Sequence, residues 1–83
     1  MKLLYFSWVR ERIGLAEETK RPPPEVTTVG ALMAWLAEQG EGYAAAFADP
    51  ALLKVAINQK IVPPTTPIAD EDEVAFFPPF TGG

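Results

Sequence analysis

The chain closes on FFPPFTGG, and this stretch holds the residue types best suited to chemistry. Pro78 and Pro79 keep the backbone extended and offer no amide hydrogens, so a sheet ladder that reaches Phe77 must end there. Phe80, Thr81, Gly82 and Gly83 are then expected to leave the domain as a projecting tail with a defined direction of exit. Gly82 and Gly83 have no Cβ, so their backbone can thread a gap that would stop any other residue. The outermost group of the sequence is the α-carboxylate of Gly83, on an unbranched carbon. A tail of this kind suits the delivery of a carboxylate through a narrow channel to a distant active site. Gly-Gly alone would equally describe a frayed end. Its attachment to the last strand through a proline pair favours a built tail.

The rest of the composition removes most other chemistry. The 83 residues include no cysteine and no histidine. A Ser–His triad, a Cys–His pair, a thiolate zinc site and a near-neutral imidazole base are therefore all excluded. The single serine, Ser7, has no such base within its own chain. Asp70, Glu71, Asp72 and Glu73 form an acidic run, but contiguous carboxylates in a turn are ordinarily solvated, and their spacing does not match a calcium loop. No metal and no bound cofactor are expected. The net charge of −4 and the absence of a basic, aromatic-bearing run argue against nucleic acid. The longest nearly apolar stretch, ALMAWLA, is too short to cross a bilayer, and MKLLYFSWVRER lacks a cleavage site. A cytoplasmic protein with no membrane contact is the expectation.

Positioning such a tail requires a small domain with a thin core. KLLYFSWV reads as a strand to about Phe6, followed by a turn of helix closed by Gly14. Apolar side chains on both of its faces predict a central strand covered on both sides. LAEETKR is a weaker strand, and RPPPE stops regular structure. Thr27 or Thr28 can cap the main helix, whose Val29, Leu32, Met33 and Leu36 share one stripe, with Gly40 placed to end it. GYAAAFADP offers a short helical turn, and Asp49-Pro50 can cap another through Leu52. LKVAIN, a turn at Asn58-Gln59-Lys60, and KIV then make a hairpin. EVAFF is the last strand, with Val74 and Phe76 on one face. One main helix against a mixed sheet of about five strands is an α+β domain, and the hydrophobic first and last strands are expected side by side at its centre. That arrangement is the β-grasp, or ubiquitin-like, roll.

With these elements in place, the sequence resembles the ubiquitin-like sulfur carriers that form the small subunits of molybdopterin synthases. The resemblance runs over essentially the whole chain. It rests on LLYFSWVRERIG, on TTVGALMAWLA, and on LLKVAIN and IADEDEVAFFPPFTGG, with FPPFTGG its most specific piece. It implies a β-grasp domain over residues 1–77 and a Gly-Gly tail over 78–83. It also implies that Gly83 is adenylated with ATP by an E1-like adenylyltransferase, converted to a thiocarboxylate by a sulfur donor enzyme, and presented to a cyclic pyranopterin monophosphate. In that reading Gly82, Thr81 and Phe80 lie in a channel of the large synthase subunit, and Pro78, Pro79 and Phe77 dock against it, in a heterotetramer. The carrier by itself would catalyse nothing.

Two turns depart from the family's usual pattern. Glu71 stands in the acidic turn where glycine is frequent, and Gln59 follows Asn58 where glycine is common. Both changes concern turn geometry, not the tail. Three other readings stay open at this level. They are a thiazole-pathway sulfur carrier, a ubiquitin-like protein modifier, and a β-grasp binding module whose tail is only a docking peptide.

Overall fold

The computed structural model describes residues 1–79. Strand β1 (Lys2–Tyr5) is followed at once by helix α1 (Ser7–Ile13), which Gly14 closes in the left-handed region at φ 91° with its amide donating to the Arg10 carbonyl. Strand β2 (Glu17–Thr19) runs back antiparallel to β1. Beyond the prolines come helix α2 (Val29–Ala37), helix α3 (Glu41–Ala46) and a short 3-10 turn at Pro50–Leu52. Strands β3 (Lys54–Ile57), β4 (Lys60–Val62) and β5 (Glu73–Phe77) complete one five-stranded sheet in the order β2-β1-β5-β3-β4. The first and last strands are adjacent and parallel at its centre, and the other pairings are antiparallel.

Register decides which side chains meet. Leu3 lies opposite Val74, and Tyr5 opposite Phe76, which in turn faces Val55. All five point to the same face and are buried there. The stripe on α2 closes over them, with Val29, Leu32, Met33 and Leu36 all buried. Phe47 meets Phe76 edge-on at 5.0 Å between centroids. Gly42 lets α3 lie directly on α1, because a Cβ there would come within 2.3 Å of the Arg12 carbonyl oxygen.

Local chemistry sets the element ends. Thr28 is the cap of α2: its hydroxyl accepts from the Ala31 amide at 3.2 Å, an interaction worth about 1 kcal/mol. Asp49 accepts from Ala51 and starts the turn at Pro50. Gly40 does not end α2, contrary to expectation. The helix stops at Ala37 and tightens through Glu38 and Gln39, whose amides reach Trp35 and Leu36, while Gly40 serves as the cap residue of α3. The β3–β4 turn holds Asn58 at φ 49° and Gln59 at φ 72°, the left-handed pair that a two-residue hairpin demands.

The inward residue of β2 is a carboxylate. Glu18 lies opposite Leu3, and its Oε2 accepts from the Tyr5 hydroxyl at 2.7 Å and the Tyr43 hydroxyl at 2.6 Å, while Lys20 stands 3.7 Å from Oε1. A polar side chain on the core face is thus fully partnered and ties the edge strand to α3. Burial, and next the bond to Glu18, push the Tyr43 hydroxyl up to about 12 and raise that of Tyr5 further.

Cover on both faces is the second expectation that fails. The helices contribute to one core, through Val9, Leu32, Leu36 and Ala46, and among the described residues no helical layer lies on the other face of the sheet. Phe6 is 46% exposed as a result, and Ile61 66%. A central position in the sheet accounts for the apolar character of β1 on its inner side only.

Candidate functional site: the outer sheet face and the root of the tail

The four residues expected to carry the chemistry, Phe80, Thr81, Gly82 and Gly83, lie outside the described residues. The structure does show the strand end that precedes them in the sequence. It is the end of β5, at the middle of the sheet, flanked by β1 on one side and β3 on the other. The amide of Phe6 donates to the Phe76 carbonyl at 3.2 Å, so β1 and β5 stay joined to the last rung before the prolines. Pro78 is buried and Pro79 exposed. The root is therefore held by a parallel strand, an antiparallel strand and a packed proline.

Alternation along β5 places Phe76 in the core and Phe77 on the outer face. The residue-by-residue pairing makes one row of that face apolar across four strands, since Leu4 faces Ala75, Ala75 faces Ala56, and Ala56 faces Ile61, while Glu17, Lys54 and the Lys2–Glu73 pair flank the row on the same face. Two alanines in the middle and larger side chains around them give a shallow hollow. Next to it, Phe6, Ser7, Arg10, Ala75 and Phe77 line a groove of about 610 Å³. Ser7 takes φ 56°, a left-handed conformation uncommon for a residue with a side chain, at the junction between β1 and α1 beside this groove. Phe6 and Ile61 are exposed, Leu4, Ala75 and Phe77 half-buried and Ala56 buried, and partly exposed apolar surface of this kind marks a site of association when it is continuous.

Of the residues proposed from the sequence for docking, Phe77 joins this face and Pro79 is accessible, while Pro78 is packed inward. Phe6 and Ile61 are additional members. The alternation of β1 and the register of the β3–β4 hairpin would have assigned both to the outer face, had one-sided cover been assumed. Trp8 and Trp35 sit at the margin of the core. The acidic turn is a structural pin, because Asp72 accepts from the Ala69 amide at 2.8 Å and from Asn58 Nδ2 at 3.0 Å. Asn58 in turn accepts from the Glu73 amide and locks the entry to β5.

The match to known proteins extends beyond the described residues to the tail itself. The ThiS family model matches residues 3–83. The chain belongs to the ThiS family. Among curated relatives, the molybdopterin synthase sulfur carrier subunit of Escherichia coli (strain K12) is 42% identical over 83 residues, which is 100% of this chain and 99% of that protein. The protein of the same name from Haemophilus influenzae is 37% identical over 83 residues, again 100% of this chain and 99% of the relative. Among solved structures, SAMP1 from Haloferax volcanii superposes with a TM-score of 0.75 at 23% identity, covering 100% of this chain and 98% of that one. A putative molybdopterin converting factor subunit 1 from Pyrococcus furiosus gives a TM-score of 0.69 at 23% identity over 95% of each chain. These neighbours establish the fold, and the fold is the β-grasp that the order of elements implies. Among the described residues no helix is long and apolar enough to cross a membrane.

Proposed function

We propose that the chain is the sulfur-carrier subunit of a molybdopterin synthase, with residues 1–77 as its folded body and residues 78–83 as its working tail. The observation that carries this reading is full-length similarity, at 42% identity, to a protein named for that role. A tail rooted at the centre of the sheet, beside an exposed apolar face, is what such a role requires.

The chemistry belongs to the terminal carboxylate. A carboxylate is a poor acceptor because its hydroxide is a poor leaving group. Attack by the Gly83 carboxylate on the α-phosphorus of ATP, in an activating enzyme, releases pyrophosphate and makes an acyl-adenylate. A sulfur nucleophile delivered by a donor enzyme then attacks the acyl carbon, and AMP departs, leaving a thiocarboxylate. In the large subunit that sulfur passes to a cyclic pyranopterin monophosphate, and water restores the carboxylate. Two carriers supply the two sulfurs of a dithiolene. Catalytic acids, bases and phosphate-binding groups come from the partners, which fits a chain without cysteine or histidine.

The body has two tasks in this scheme. Phe77, Phe6 and Ile61 give a partner an apolar surface to close upon, and Pro79 sets the direction in which the tail leaves it. Phe80, Thr81 and Gly82 then occupy a channel in the large subunit. A chain shortened to end at Thr81 tests the division of labour: it should keep its circular dichroism and melting temperature and lose sulfur transfer to the pterin. Transfer by the shortened chain would refute the reading. Replacing Gly82 with leucine should also block transfer, and normal transfer by that variant would rule out the narrow channel.

A further inference from the structure

A second groove adjoins the end of β5. Trp8, Arg12, Leu52, Pro78 and Pro79 line it, with a volume of about 400 Å³. Its walls come from α1, from the 3-10 turn before β3 and from the two prolines that follow β5. Leu52 is 53% exposed there. The Arg12 guanidinium stacks over the Trp8 ring at 4.4 Å from its centroid, and its Nη1 donates to the Ala45 carbonyl at 3.3 Å. Stack and bond fix the plane of the guanidinium and leave most of its donors uncommitted.

The charge around this groove runs against that of the whole chain, which is −4. Arg10 lines the neighbouring Phe6–Phe77 groove, and Lys54 stands opposite Phe77 in the β3–β5 register. Ion pairs among the described residues join Lys2 to Glu17 and Lys20 to Glu18, so none of Arg10, Arg12 and Lys54 is matched by a carboxylate there. The acidic run from Asp70 to Glu73 lies at the other end of β5, where that strand begins. Asp49, at the start of the 3-10 turn, accepts from the Ala51 amide.

We propose that the Trp8–Arg12–Leu52 groove is a specificity site for the large subunit, and that the segment seated in it carries a carboxylate beside an aliphatic side chain. The inference rests on the carrier function proposed above and adds a contact that the outer face does not supply. Size selects the occupant. A stable interface covers about 800 Å² of each partner, a patch roughly 28 Å across. The described body measures only 34 × 27 × 20 Å. A partner that closes on Phe77 therefore extends past Pro79 onto α1 and the turn before β3. Charge selects the chemistry. A carboxylate can meet the free edge of the Arg12 guanidinium in its plane with two parallel bonds, while an aliphatic chain fills the space between Trp8 and Leu52. An arginine already held against a tryptophan loses little freedom on binding, and these two residue types are among those on which binding energy concentrates. A partner with an uncharged or cationic segment here would leave Arg12 covered and unpaired, so the groove discriminates as well as binds.

The test is titration calorimetry of the full-length chain with the large subunit, at about 0.05 M and about 0.5 M sodium chloride. At the lower salt Arg12→Gln should raise Kd roughly tenfold and Arg12→Glu should raise it further. Arg12→Lys should recover only part of the loss, because an ammonium cannot form the two-pronged bond. Leu52→Ser should raise Kd several-fold and leave the salt dependence as it is. Wild-type affinity should fall more steeply with salt than that of Arg12→Gln. Melting temperatures report whether each variant keeps its fold; should Arg12→Gln lose it with the Ala45 bond, Leu52→Ser, at an exposed position, decides alone. Values of Kd within about twofold of wild type for these variants would overturn the proposal. So would equal salt dependence in wild type and Arg12→Gln, which would remove the carboxylate. A wild-type chain that does not bind the large subunit at all would overturn the carrier function and this site with it, a result distinct from tight binding that ignores the substitutions.

Discussion

The two faces of the sheet are built from the same strands, and each carries a run of apolar residues, yet these runs have opposite fates. On the inner face Leu3, Tyr5, Val55, Val74 and Phe76 lie beneath the helices, each 3% exposed or less. On the outer face, among the described residues, Phe6 and Ile61 are exposed and Leu4, Ala75 and Phe77 only half-buried. Apolar character on the inner face is explained by folding. On the outer face it weakens solubility and adds little to the core, so it needs another cause, and association is the one the geometry offers. Phe76 and Phe77 condense this contrast into adjacent residues of one strand.

Substituting that pair gives the sharpest separation. Phe76→Ala should cost about 3–5 kcal/mol in urea unfolding, because its ring is fully enclosed by Tyr5 and Phe47. Phe77→Ala should cost about 1 kcal/mol or less and yet weaken binding to the large subunit roughly tenfold or more in titration calorimetry. Equal costs in stability would erase the distinction between the faces. Gly42→Ala probes the helical layer that covers the inner face. Its methyl would strike the Arg12 carbonyl, so a loss of about 1–3 kcal/mol is expected with partner affinity unchanged.

Alkaline pH tests the rim of the inner face. Tyr5 and Tyr43 hold their protons more tightly when folded than at the ordinary value of 10.0. Above about pH 10 the unfolded chain therefore binds fewer protons than the native one, and stability must fall as pH rises. Unfolding midpoints measured from pH 9 upwards should decline beyond about pH 10, and more gently in Tyr43→Phe. A flat profile would contradict the hydroxyl pair that shares Glu18. The smallest effect is expected far from either face. Gln59→Gly removes a side chain held at φ 72° and should gain about 0.5 kcal/mol, the relief of left-handed strain less glycine's greater chain entropy.

Sequence made the inner face legible and the outer face obscure, and the reason is physical. Helical periodicity exposes Val29, Leu32, Met33 and Leu36 as one buried stripe, and strand alternation does the same for Val74 and Phe76. Neither pattern reveals how many layers a sheet carries, and so Leu4 and Phe6 read as core when Leu4 is half-buried and Phe6 exposed. Gly40 misled for a related cause: a glycine after a helix serves the end of one element or the start of the next, and only the following turn decides. Glu18 gave no local signal, since its partners Tyr5 and Tyr43 come from distant parts of the chain. The tail is read from Pro78, Pro79, Gly82 and Gly83, because backbone restriction and missing side chains are local properties; Gly82 and Gly83 lie outside the described residues.

The most direct measurement is an intact mass of the purified chain, before and after incubation with ATP, its activating enzyme and a sulfur source. The carrier account predicts a gain equal to one oxygen exchanged for sulfur, mapped to Gly83 and lost again when the large subunit and pterin are supplied. An unchanged mass, with an activating enzyme shown to be active on another carrier, would contradict it.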